Sequence, residues 1–301
     1  MPALDGFYDR RGRWANLDPD MSPRSRKIAR MLALSLALVA AAAWAEREFR
    51  VYRSFEAQAD ESPLPADWNR PAGFVVGRLM YPSGMGGFRG FRGFGGDWRQ
   101  GGTSWAVDYP RGDRYYAKLL RRLTTIDVRS VEQPVNLEDG DDVFDWPYLM
   151  VGLAGYWDLD DDMVAKLREY LLRGGFLFVD SFYGDSQWEG FSEGMRRIFP
   201  DRSIVDLPDD HEIFHVVYDL DGKRAVPHFE EFSGRAGFLS GGSTPHWRGV
   251  LDDQGRVMVA IAFNSDVSDS FQWSDNPDYP ADGASLGLRI GVNFAVYALS
   301  H

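Results

Sequence analysis

Apolar residues in this chain alternate between two rhythms, helical spacing and short unbroken runs, and the clearest example lies between positions 163 and 184. Val164, Leu167, Leu171 and Leu172 make one apolar stripe at helical spacing, with Lys166, Arg168 and Arg173 on the opposite face. Gly174 and Gly175 end that helix. Phe176, Leu177, Phe178 and Val179 follow without alternation, the pattern of a strand covered on both faces. Upstream, the pattern predicts a strand over 74–80, a helix over 115–123, a second strand over 127–131 and a third over 148–153. Downstream it predicts a helix over 188–199, then strands over 214–220, 247–252 and 257–263, the last two joined as a hairpin by Asp253, Gln254 and Gly255. A closing helix over 286–299 carries Leu286, Ile290, Phe294 and Tyr297 on one face. Strand, helix, strand, strand, helix, strand is the rhythm of an α/β fold with a mainly parallel sheet, right-handed crossovers and β-rich C-terminal additions.

Such a sheet places its ligands beyond the carboxyl ends of its strands. Asp180 and Ser181, at the end of the 176–179 run, therefore sit where chemistry would occur. Arg78, in the first strand, and Gly152, in the third, are expected at the same edge. Asp108, which precedes the first helix, and Asp266, which follows the 257–263 strand, could deliver carboxylates to it, with Trp105 as a stacking surface for a sugar ring. Arg78, Trp105, Asp108 and Asp266 are the candidate ligand-binding residues.

Two catalytic readings compete with plain binding. A hydrolase would use Asp180 and Ser181 with His211, but the turn lacks the G-x-S-x-G elbow, since the first glycine after Ser181 is Gly184. Asp180 could also act as a general acid or base, its pKa raised by burial at the strand end, or could simply cap the next helix. His211, Glu212 and His215 formally fit the zinc-protease pattern H-E-x-x-H. Their surroundings read instead as a turn entering a β-branched strand, which would hold the two histidines about 13 Å apart at 3.3 Å per residue. The aspartates at 158, 160, 161 and 162 have the ordinary task of complementing a helix N-terminus. No metal and no cofactor is expected.

Composition narrows the partners. The 301 residues include no cysteine, which excludes disulfides, thiolate catalysis and thiolate metal ligation. The net charge of −12 argues against nucleic acid, which requires a basic stripe. Residues 24–45 combine a basic stretch, an apolar run beginning at Met31 and a small-residue end at Ala43 and Ala45. This is the pattern of a secretory signal, cleaved after Ala45 or retained as an N-terminal anchor, with a start at Met21 as an alternative to Met1. Without residues 1–45, seven basic and four acidic residues are lost and the net charge falls to near −15. Residues 46–72 read as a proline-bearing spacer, and 73–301 as a single α/β domain. Export to the periplasm or another extracytoplasmic space follows, with the membrane touched only through the N-terminal segment.

Within the domain, nine of the twenty residues from 83 to 102 are glycine. Such a stretch cannot hold regular structure alone. It leaves the carboxyl end of the first strand, where a lid over the crevice would have to begin.

The segments 74–81, 104–110, 167–180, 198–202, 211–214 and 291–299, taken in order, resemble the bacterial family known as domain of unknown function 4159. That family is similar to the class I glutamine amidotransferase-like superfamily, a resemblance that implies a flavodoxin-like three-layer sandwich. Amidotransferases carry a cysteine after the strand that ends here near Val179. This chain has Asp180 and Ser181 there, so the resemblance does not extend to that activity. Some members of the superfamily lacking the triad are proposed to bind sugars or to serve as non-catalytic modules. The expectation is therefore a non-catalytic module binding a carbohydrate or an envelope protein, with the hydrolase as its alternative.

Overall fold

Seven strands form one mixed sheet in the order β2-β1-β3-β4-β7-β6-β5 in a computed structural model of the chain. The structure describes residues 50–55, 64–83, 96–220, 225–231, 242 and 244–301. The predicted signal segment and most of the proposed lid, residues 84–95, lie outside them.

The strands are β1 (Gly77–Met80), β2 (Gln133–Asn136), β3 (Tyr148–Gly152), β4 (Phe176–Phe182), β5 (Val205–Asp206), β6 (His246–Leu251) and β7 (Val257–Phe263). The helices are α1 (Arg111–Leu123), α2 (Asp161–Leu172), α3 (Gly184–Ile198), α4 (Val267–Gln272) and α5 (Ala281–Ser300). β2, β1, β3, β4 and β7 run parallel, and counted among themselves they have the 2-1-3-4-5 order of flavodoxin-like folds. β6 returns antiparallel to β7, and β5 pairs antiparallel with β6, so the predicted β-rich addition extends the same sheet.

Both faces of the sheet are covered, which is why β3, β4 and β7 are buried along their whole length. Leu149, Val151, Leu177, Val179, Val259 and Ile261 face Met163, Leu167 and Leu171 of α2 and Phe191 and Met195 of α3. Met150, Phe176, Phe178 and Ala260 face Tyr116 and Leu120 of α1, Phe271 of α4 and Ile290 and Phe294 of α5. The alternation along each strand assigns successive side chains to opposite layers. The result is a three-layer α/β sandwich compatible with the flavodoxin-like fold.

Local chemistry sets the element ends. The Asp160 side chain accepts from the Met163 amide at 2.8 Å, capping α2, while Asp161 and Asp162 occupy its first turn. Replacing Asp160 with Ala should therefore cost about 1 kcal/mol, visible as a lowered melting temperature with no change in the folded-state circular dichroism. α5 owes its close docking to Gly287 and Gly291, where a Cβ would collide with Ser270 of α4 and with Phe271 and Tyr116.

Two predicted strands are corrected. The second is β2 at 133–136, not 127–131: Val128 forms only an isolated bridge with Phe74. The Arg129 side chain folds back to donate to the carbonyls of Val131 and Glu132, so the segment between bridge and ladder turns instead of extending. Residues 214–220 are not a strand. Glu212–Phe214 is a short 3-10 turn, and Asn293 of α5 takes the amides of Val217 and Tyr218 on its side-chain oxygen. Ile213 and Phe214 are buried against the α5 layer instead of in a ladder.

Candidate functional site

The carboxyl end of β4 is irregular. Val179 pairs with Ile261 but Phe182 pairs with Phe263, so β4 carries one residue more than β7 over this stretch. Ser181 takes up the extra length in a left-handed conformation, φ 58°. Its hydroxyl donates to Asp266 Oδ2 at 2.8 Å, and the Tyr183 hydroxyl donates to the same oxygen at 3.3 Å. Asp180 accepts from the Ser268 amide at 2.7 Å. The bulge thus turns two consecutive side chains of β4 toward the loop leaving β7.

That loop is organised around Asp266. Its Oδ1 accepts from the Asp269 amide at 3.1 Å and from the Ser268 hydroxyl at 3.2 Å. The Ser268 hydroxyl also lies 2.7 Å from Asp108 Oδ2, which ties the segment before α1 into the cluster. Asp269 accepts from the Phe229 amide at 2.7 Å and from Trp273 Nε1 at 3.1 Å. His228 stands beside both: Nε2 is 3.8 Å from Asp266 Oδ2, and Nδ1 is 3.9 Å from Asp269 Oδ2. Asp108, Asp180, Asp266 and Asp269 are all at most 3% exposed.

Arg78 approaches from β1. Its guanidinium is fully buried and donates to Asp113 of α1 from Nε at 3.1 Å and Nη2 at 2.8 Å. Nη1 is buried without a hydrogen-bond partner among the described residues, as is Oδ1 of Asp180. Gly152 of β3 is the register partner of Asp180, and a Cβ on Gly152 would collide with Val107 Cγ1 at 2.5 Å, with the Ser181 Cβ at 3.7 Å and Arg78 Nη1 at 3.8 Å beyond it. The missing side chain at 152 therefore makes room for Val107 close to Arg78 and Ser181.

The electrostatics follow from burial and crowding. Loss of solvation, and then the charge of Asp266, push the Asp180 carboxyl up to about 7, against smaller opposing pulls from the Ser268 amide and Arg78. Asp113 is raised by burial and pulled back by Arg78. The backbone is strained in the same place. All four described non-glycine residues with left-handed φ lie here or on the adjoining loops: Asp108 at 59°, Leu153 at 50°, Ser181 at 58° and Asn264 at 57°. Each such conformation costs on the order of 1–3 kcal/mol and persists only where neighbours over-determine it.

Five of the seven candidate residues, Arg78, Asp108, Asp180, Ser181 and Asp266, are thus brought to one edge. Trp105 and His211 are not part of the cluster. Trp105 is fully buried, packs against Tyr52 and Tyr109 and donates to the Trp98 carbonyl at 2.8 Å, so it offers no ring face to a ligand. His211 caps the 3-10 turn through the Ile213 amide and lies against Tyr297. The Tyr297 hydroxyl accepts from the amide of Val257, where β7 begins, so His211 belongs to the amino edge of the sheet. Burial lowers its pKa. His215, its H-E-x-x-H partner, is bound to Asp219 and to the Asp209 carbonyl.

Sequence reasoning passed over Asp113, His228, Ser268 and Asp269. Asp269, at i+3 from Asp266, carried a faint signal as a helix-start acid; His228 carried none.

Fold and site together define an α/β sandwich with a buried, carboxylate-rich cluster at the carboxyl edge of its parallel strands. Residues 97–299 match the family described as Domain of unknown function (DUF4159), and the chain belongs to it. No curated protein matches the chain.

Proposed function

We propose that this domain is an exported ligand-binding module of the cell envelope, with its site at the Asp266 cluster and with no amidotransferase activity. The observation that carries this reading is the pair of fully buried polar atoms, Arg78 Nη1 and Asp180 Oδ1, that have no hydrogen-bond partner among the described residues. Leaving buried polar groups unsatisfied costs about 1–3 kcal/mol each, a cost that a ligand offering both an acceptor and a donor would remove. A hydroxyl does both, and the surrounding carboxylates accept further hydroxyl protons, so a carbohydrate of the envelope suits the lining. The signal-like residues 24–45 support export. Among the described residues no helix is long and apolar enough to cross a membrane, in keeping with a domain that reaches the membrane only through its N-terminal segment.

The hydrolase alternative with His211 as base loses its support, because His211 and Ser181 lie at opposite edges and the Ser181 proton is directed to a carboxylate. An acid or base role for Asp180 retains the support of its raised pKa. Thermal-shift measurements against a panel of envelope sugars and peptides test the proposal. At least one sugar should raise the melting temperature of the wild type by several degrees and leave Asp266→Asn unmoved. A panel without any such shift, or turnover of a chromogenic ester abolished by Ser181→Ala, would overturn it.

A further inference from the structure

Asp108, Asp180, Asp266 and Asp269 are buried together. Buried carboxylates are stable when paired, protonated or bound to a metal. Asp266 accepts from the Ser181 and Tyr183 hydroxyls and the Asp269 amide, with the Ser268 hydroxyl, which is closer to Asp108, 3.2 Å away.

His228, Asp266 and Asp269 each direct one donor atom at a common region, the three atoms lying within 4.8 Å of one another. At 3.8 and 3.9 Å the imidazole nitrogens are too far from the carboxylates for hydrogen bonds. Ligands of a tetrahedral ion with bonds of about 2.1 Å stand about 3.4 Å apart, so an ion between these atoms would need to draw them in by up to about 1.4 Å. The carboxylates are already oriented by outer partners, Asp266 by the Ser181 and Tyr183 hydroxyls and Asp269 by the Phe229 amide and the Trp273 indole.

We propose that His228, Asp266 and Asp269 form a binding site for one divalent cation of the zinc or manganese class. One imidazole and two carboxylates without a thiolate suit these ions, whereas calcium and magnesium prefer all-oxygen shells. Three protein donors leave coordination positions open to a ligand hydroxyl or to water. The inference rests on reading this cluster as a ligand site but not on the ligand being a sugar.

The test is isothermal titration of the chelator-treated full chain with zinc or manganese chloride, with magnesium and calcium as comparators. Zinc or manganese should bind at one ion per chain and raise the melting temperature. His228→Ala, a change at a partly exposed side chain, and Asp269→Asn should each weaken binding by more than about 100-fold, beyond the 10–100-fold that outer partners cost. His211→Ala, at the opposite edge, should leave it unchanged. Absence of saturable binding, or binding that is equally tight in His228→Ala, would overturn the site. Sugars that stabilise the chelated protein as well as the metal-treated one would overturn the cation while leaving the ligand-binding reading standing. If neither class of ligand binds, both fall.

Discussion

Asp113→Asn is expected to destabilise the domain by about 3–5 kcal/mol, the cost of leaving one member of a buried ion pair without its partner. Arg78 and Asp113 are both 0% exposed, and two guanidinium nitrogens reach the carboxylate. Asparagine keeps the shape and one acceptor but removes the countercharge, stranding a guanidinium under α1. Against a total stability of about 5–15 kcal/mol for such a domain, that loss should appear as a large drop in the urea midpoint. The double replacement Arg78→Met with Asp113→Leu should recover most of it, since a buried pair exchanged for apolar side chains of similar volume is often neutral or better. A single-variant loss below about 1 kcal/mol would mean that water reaches the pair.

Stability should also fall as pH rises between about 4 and 7, and Asp180→Asn should flatten that fall. Burial, with the Asp266 charge second, raises the Asp180 pKa in the folded state above its value of 3.8 in the unfolded chain to about 7. Across this window the folded protein holds a proton that the unfolded chain has released, so raising the pH favours unfolding. Below the window both states are protonated and the contribution is constant; above it the full penalty is present. Asparagine keeps an acceptor for the Ser268 amide and carries no charge. The variant should therefore gain stability on the wild type at pH 8 and show little gain at pH 4, measured by urea unfolding at each pH in the presence of chelator. Parallel profiles for the two proteins would show that Asp180 is ionised at all these values.

How far the sequence reached depended on whether a residue's role was local. β4 was visible because Phe176 to Val179 are apolar on both sides, and β6 and β7 because a turn with Gly255 joins two apolar runs. β2 was missed because Gln133, Pro134 and Asn136 are poor strand formers. Their place is set by pairing with β1, and Pro134 is tolerated because the strand lies at the sheet edge. Residues 214–220 misled because Phe214, Val216, Val217 and Tyr218 have strand-like chemistry, yet the α5 layer claims their apolar surface.

The same distinction divides the site. Asp108, Asp180 and Asp266 could be nominated because each stands at the end of a recognisable element and the fold class says where such ends meet. His228 could not, because its segment belongs to no periodic element. It is located by long-range bonds such as the Val226 amide donating to Ser265 Oγ and the Phe229 amide donating to Asp269. Ser181's partner was likewise hidden: the bulge that turns it toward Asp266 is a register difference between β4 and β7, a property of two strands and not of either alone.

The borders of the sheet carry a consequence for self-association. An open sheet ends in two rows of unpaired backbone groups, each a template on which another chain could add a strand. One border here is β2, where Pro134 has no amide hydrogen to offer. The other is β5, two residues long, with Asp206 held by Arg248 of β6. Five parallel strands buried on both faces assemble from distant parts of the chain, so the apolar run of β4 is at risk of aggregating before β7 arrives. Once the sheet is complete, neither border gives an incoming strand a long hydrogen-bonding edge, and the finished domain is guarded against edge-to-edge polymerisation even at high local concentration.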